Sequence, residues 1–181
     1  PDSIVEIGDC AFEKCTSLKY ITLPENIKEI KGGTFYDCKS LETIKLPNKV
    51  NIIDKNAFAY CISLESIFIP NSVTKIMDGA FMCCKSLKAI TIPKGVSKIG
   101  EDAFADCSSL RKITIPQKVS KINNGTFYGC SSLEEVNIPE EGTEIGKDAF
   151  FFCDSMESLV LPNSVKRIKK SAFFGCLSLK R

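Results

Sequence analysis

Phenylalanine stands at positions 12, 35, 58, 81, 104, 127, 150 and 173, and every step is 23 residues. Cysteine keeps the same spacing at 15, 38, 61, 84, 107, 130, 153 and 176, and proline at 1, 24, 47, 70, 93, 116, 139 and 162. A fixed period of this length marks a repeat array, in which each unit buries its apolar face against its neighbours. The unbroken register argues for one continuous body over residues 1–181 rather than two domains. Pro1 is already in register with Pro24, and the chain stops at Lys180-Arg181 where another strand should begin. It reads as a piece cut from a longer array.

Each unit follows the template P-x-x-[VI]-x-x-I-x-x-x-[AT]-F-x-x-C-x-S-L-x-x-[IVL]-x-[IL], as in Pro70, Val73, Ile76, Ala80, Phe81, Cys84, Ser86, Leu87, Ile90 and Ile92. The Leu-x-x-Ile-x-Ile segment places Ile90 and Ile92 at the period of a strand. Proline then ends the strand, because it has no N–H to give to a ladder. Val-x-x-Ile is extended enough for a second short strand, which the sequence leaves open. Ala-Phe-x-x-Cys puts Phe and Cys three apart, the spacing of a single helical or 3-10 turn. The seventh unit departs from the template, with Gly142 in place of valine and Met156 in place of leucine.

A unit has about seven inward apolar side chains, each stabilising by roughly 1.5–3 kcal/mol when buried. Ordering its backbone costs about 1–2 kcal/mol per residue. A lone unit therefore cannot fold, and stability has to come from stacking.

The bulk composition narrows the function classes. Net charge is +2, which gives no strong electrostatic case for nucleic acid or an anionic membrane. No apolar run approaches a membrane span and no signal peptide opens the sequence, so no direct membrane insertion is expected. Histidine is absent, which removes the commonest general base and the commonest metal ligand. Neither a nucleophile–base pair nor a phosphate loop appears. An enzyme is not expected, and no catalytic residue, metal or cofactor is assigned.

Leu87-Lys88-Ala89-Ile90-Thr91-Ile92-Pro93 together with Ala80-Phe81-Met82-Cys83-Cys84 resembles the BspA-type leucine-rich repeat, and the match covers essentially the whole chain. The resemblance implies a right-handed leucine-rich-repeat solenoid of about eight 23-residue coils. It puts a parallel β-sheet on one face, with turns and short helical or 3-10 turns on the other. One departure is that the asparagine of the commoner leucine-rich repeat has no consistent counterpart: Asn26, Lys49, Ser72, Gly95, Lys118, Glu141 and Ser164 stand there. By the same resemblance the chain is expected at a cell surface or secreted. Its expected role is a non-enzymatic adhesion or interaction module for a host or extracellular-matrix protein, flanked by further repeats or domains. The competing expectation is a structural spacer or stalk with no ligand of its own.

Family logic places the ligand on the outward sheet positions. Tyr20, Thr43, Ser66, Ala89, Lys112, Glu135 and Ser158 form one file, and Thr22, Lys45, Phe68, Thr91, Thr114, Asn137 and Val160 form the other. The candidate ligand-binding residues are Tyr20, Lys45, Phe68, Thr91, Lys112 and Thr114, with Tyr20 and Phe68 as aromatic anchors. Single exposed apolar residues are also ordinary on protein surfaces.

Other constellations have plainer readings beside the chemical one. The cysteine column suits small apolar filling better than a disulfide or zinc ladder, because stacked strands hold equivalent atoms about 4.7–4.9 Å apart. Cys10 and Cys83 lie outside the column and are expected to be the reachable thiols. A carboxylate pair among Glu134, Glu135, Glu140, Glu141 and Glu144 could serve a glycosidase or a cation site. However, Arg111, Lys112, Lys118 and Lys121 precede four of them by one coil and Arg167 follows Glu144, so register-fixing ion pairs are expected. Phe150-Phe151-Phe152 with Phe174 is the most aromatic spot, a partner site or the seat of a neighbouring part of a longer chain. Asn124-Gly125-Thr126 is a glycosylation sequon, but Thr126 falls in a column expected to be buried.

Overall fold

Each unit traces three sides, two of which are strands. The computed structural model describes residues 3–142 and 144–180. Three-residue and two-residue strands alternate along the chain: β1 (Tyr20–Thr22), β2 (Glu29–Ile30), β3 (Thr43–Lys45), β4 (Ile52–Ile53), β5 (Ser66–Phe68) and β6 (Lys75–Ile76). The pattern continues through β7 (Ala89–Thr91), β8 (Lys98–Ile99), β9 (Lys112–Thr114), β10 (Lys121–Ile122), β11 (Glu135–Asn137) and β12 (Glu144–Ile145), and then breaks, because the two-residue β13 (Arg167–Ile168) follows with no three-residue strand before it. The three-residue strands form a six-stranded sheet in the order β1-β3-β5-β7-β9-β11. Its pairing is parallel and in register, Ile21 against Ile44 and Ile67 against Ile90. The Val-x-x-Ile segments supply the second face, a four-stranded sheet β2-β4-β6-β8 and a three-stranded sheet β10-β12-β13. Between the two faces the carbonyl of each proline from Pro24 to Pro162 accepts the N–H three residues on, as Val73 to Pro70 at 3.0 Å, which turns the corner.

The third side corrects one expectation. The described residues contain no helix, neither α nor 3-10; the Ala-Phe-x-x-Cys segments are plain turns. Two residues per unit hold positive φ and interrupt any helical path. Cys10, Gly33, Asn56, Gly79, Asp102, Gly125, Asp148 and Ser171 lie at φ 52 to 63°, and Lys14, Asp37, Tyr60, Cys83, Asp106, Gly129, Phe152 and Gly175 at φ 55 to 75°. The backbone donors between them alternate. Gly79, Phe81 and Cys83 donate to Glu101, Ala103 and Ala105 of the next coil, while Ala80, Met82 and Cys84 donate three residues back to Met77, Gly79 and Phe81. Half the amides are thus committed to a neighbouring coil and cannot build an intrahelical ladder. The number of coils is corrected as well: the main sheet joins six strands, not eight, and residues 158–160 stay outside it. Those residues end the unit in which Gly142 replaces the core valine, and Val160 is exposed.

The core is a set of parallel columns. Phenylalanine rings stack from Phe12 to Phe173 with centroids 5.3–5.7 Å apart, and Phe35 through Phe150 are fully buried. Leucine, isoleucine, valine and cysteine columns pack around them.

Candidate functional site

The strand period turns the middle residue of each main strand inward and its two neighbours outward, so β3, β5, β7, β9 and β11 all show an exposed–buried–exposed pattern. All six candidate residues therefore lie on one solvent-facing sheet, but they do not form one cluster. Lys45 opposes Phe68, and Phe68 opposes Thr91, so three of them are neighbours in one file. Thr91, Lys112 and Thr114 share a shallow groove of about 850 Å³ with Ala89, Pro93 and Pro116. Tyr20 stands apart on β1, in the other file and two strands from Phe68, roughly 10 Å away at the strand spacing. Phe68 is 68% exposed and Tyr20 76%.

The groove was legible only in part. Ala89 opposes Lys112, and a methyl group there leaves the room that the groove occupies. Its smallness in an outward file that otherwise holds larger side chains was the available signal. The charge is largely compensated: Lys112 Nζ lies 2.7 Å from Glu135, and Lys45 lies 3.9 Å from Glu25.

Three of the five acidic residues of the seventh unit pair with a neighbouring coil, whereas among the described residues the expected Lys118–Glu141 and Lys121–Glu144 pairs do not form. Arg111 meets Glu134 at 2.6 Å, Lys112 meets Glu135, and Glu144 is held by Lys169 at 2.8 Å and Arg167 at 3.0 Å. The hydrogen bond from Lys169, with Arg167 beside it, holds the Glu144 carboxyl below its ordinary range. Among the described residues no group of three or more histidine, cysteine or acidic side chains is placed to hold a metal ion.

The ten cysteines are all free thiols. The column ones do more than fill space. Cys61, Cys84, Cys107 and Cys130 each donate to the carbonyl of the phenylalanine 26 residues earlier, at 3.1–3.2 Å. Nothing in the spacing announced this bond, because the acceptor is backbone. Burial pushes the Cys38 thiol up to about 11 and raises Cys84, Cys107 and Cys130 well above the ordinary thiol value. Cys10 is exposed as expected, whereas Cys83 is buried, 3.7 Å from Asp106 Oδ2. Cys15, at the open end of the column, is exposed instead.

On the turn side Phe151 stacks between Tyr128 at 5.0 Å and Phe174 at 4.8 Å, and Phe152 meets both Phe151 and Phe174 edge-on. Tyr128 belongs to this array although only the phenylalanines stood out in the sequence. The Asn124 amide is engaged on both sides, donating to Glu101 and accepting from Lys147 N, and Thr126 is 1% exposed. This arrangement does not present the sequon for modification.

The family model for the BspA type leucine rich repeat region matches residues 1–111 and 51–180, with six copies. No curated protein matches the chain. Among solved structures, a leucine rich repeat protein of T. pallidum is 30% identical, with a TM-score of 0.78 over 98% of this chain and 72% of that one. A leucine-rich repeat protein from Bacteroides ovatus is 29% identical, with a TM-score of 0.69, covering 98% of this chain and 58% of that one. A leucine rich cell surface protein from Faecalibacterium prausnitzii is 28% identical, with a TM-score of 0.64, covering 94% of this chain and 60% of that one. The chain thus spans under two thirds of the latter two proteins. Its exposed parallel sheet on a repeat scaffold is that of a protein-interaction module in general. The chain belongs to the BspA-type leucine-rich repeat family.

Proposed function

We propose that the chain binds a protein ligand, of host or extracellular-matrix origin, across the outward face of its main sheet. The observation that carries this is Phe68, an aromatic ring 68% exposed at the end of β5 within the six-stranded sheet, with Lys45 and Thr91 beside it. An anchor of this kind desolvates readily, and the register-locked strand beneath it loses no conformational freedom on binding. The groove along Thr91, Lys112 and Thr114 extends the contact over the next two strands, and Tyr20 would touch only a ligand long enough to span to β1. The name of the Faecalibacterium relative, a cell surface protein, supports a cell-surface or secreted location for this chain.

The test is saturable capture by a panel of purified extracellular-matrix proteins. Phe68→Ala should weaken capture by roughly tenfold or more while Tyr20→Ala has a smaller effect, the thermal midpoint staying unchanged in both. No saturable binding to any member would favour a spacer. Undiminished capture by the Phe68 variant would move the site off this face.

A further inference from the structure

The second face contains a stripe whose charges do not cancel. In register with one another along it stand Glu29, Ile52, Lys75 and Lys98, with Lys121, Glu144 and Arg167 continuing the file. Lys75 lies directly opposite Lys98, a like-charge pairing that destabilises adjacent strands. On the main face, by contrast, Lys112 meets Glu135, and along its margin Lys88 meets Glu65 and Arg111 meets Glu134. Among the described residues Lys75, Lys98 and Lys121 have no carboxylate within ion-pair distance. Acids on this side of the coils are engaged elsewhere: Asp78 by Lys55, Glu101 by the Asn124 amide, and Glu144 by Arg167 and Lys169.

A second observation falls at the same place. Pairing of the short strands is interrupted between β8 and β10. In other coils the backbone N–H after the isoleucine donates to the coil before, Gly100 to Ile76 and Gly146 to Ile122. Here the side-chain amide of Asn123 reaches Ile99 O. The result is a groove of about 490 Å³ between Lys98 and Lys121, lined also by Asp78, Ser97, Ser120, Asn123 and Glu101.

We propose that this face binds a linear acidic polysaccharide lying along the coil axis, its carboxylates on Lys75, Lys98 and Lys121 and its sugar hydroxyls in the groove. The spacing argues for that polymer. Lys75 and Lys98 stand one paired coil apart, about 4.8 Å, and Lys121 lies beyond the interrupted pairing, across the groove, whereas duplex DNA carries a charge about every 1.7 Å. Three lysines therefore answer a polymer with roughly one charge per sugar, not one that dense. The lining suits hydroxyls: Asp78 and Glu101 accept hydrogen bonds from sugar hydroxyls and keep the polymer's anionic groups out of the groove and on the lysines. Single-stranded nucleic acid would also need aromatic platforms for its bases, and the groove lining contains no aromatic ring.

The probe is immobilised polygalacturonate, with neutral dextran and single-stranded DNA alongside. The native chain should be retained on polygalacturonate at low salt and released as salt rises, because the contacts are exposed charges. Lys75→Ser/Lys98→Ser/Lys121→Ser should lose roughly tenfold or more in affinity with an unfolding midpoint no lower than native, since the substitutions relieve like-charge repulsion. Should the triple variant fail to fold, each single substitution should still weaken binding. Phe68→Ala should leave polygalacturonate binding intact, which separates this site from the one on the main sheet. The proposal is overturned by no retention, by variants that bind as the native chain does, by equal binding of dextran, or by stronger binding of the DNA.

Discussion

The Cys84 thiol donates to the backbone carbonyl of Phe58 across 3.1 Å, and the same carbonyl already accepts the N–H of Cys61. Both lone pairs of a fully buried oxygen are thereby used. This explains cysteine in the column better than volume does: alanine would leave a gap, valine would crowd the stack, and neither can donate. Cys107→Ala should cost about 1–3 kcal/mol, from a lost hydrogen bond plus a small cavity. Cys107→Val should cost a similar amount through overpacking. Urea unfolding followed by far-UV circular dichroism measures both. An unshifted alanine variant would mean that neither the bond nor the filled volume stabilises the fold.

Stability should fall on the alkaline side, and the same column is the reason. Burial raises the folded-state values of Cys38, Cys84, Cys107 and Cys130, with Cys38 at about 11. An unfolded thiol ionises near 8.5, so above that pH the folded state holds more protons than the unfolded one. The contribution is complete below about pH 8.5 and is lost as pH climbs toward the folded values. Urea midpoints should be level from neutrality to about pH 8 and then decline steadily to pH 11. Cys107→Ala should decline less steeply. In native buffer a thiol reagent should modify Cys10 and Cys15 promptly and Cys84 only on unfolding.

How much of this could be read from the chain depends on which atoms carry the information. Side-chain columns are printed in the sequence, so Phe35 over Phe58, or Glu134 beside Arg111, followed from counting. The second strand at Lys75–Ile76 was visible as an extended segment but needed a neighbouring coil to become a ladder. The turn side misled, because Phe81 and Cys84 three apart look helical whichever way their amides point. The choice between an intrahelical bond and a bond to the next coil rests on backbone groups that all residues share. On the candidate surface, exposure of Phe68 was legible from strand alternation. The groove beside Ala89 depended on a missing volume.

Two left-handed positions per unit yield a prediction of opposite signs. Lys14 and Gly129 occupy the same place in different coils, at φ 57° and φ 67°. A side chain in that conformation costs about 1–2 kcal/mol, while adding a glycine costs about 0.4–1 kcal/mol through the unfolded chain. Lys14→Gly should therefore stabilise slightly, by up to about 1 kcal/mol, an unusual result for a substitution to glycine. Gly129→Ala should destabilise by more than about 1 kcal/mol, since its Cβ would also come within 2.3 Å of Asp106 Oδ1. Thermal unfolding of both variants checks this, and a stabilised Gly129→Ala would contradict the strain argument.

The Arg111–Glu134 contact at 2.6 Å tests whether these charges serve register or stability. Both side chains are largely in water, at 68% and 49% exposure, so screening limits the pair to about 0.2–1 kcal/mol. A double-mutant cycle with Arg111→Ala and Glu134→Ala should give a coupling in that range, shrinking in high salt as the Debye length falls to about 3 Å at 1 M. Reversing both charges should restore most of the coupling, because the two positions face each other one coil apart. A coupling well above 1 kcal/mol that persists in high salt would mean that the pair is shielded from solvent and acts as part of the packed body.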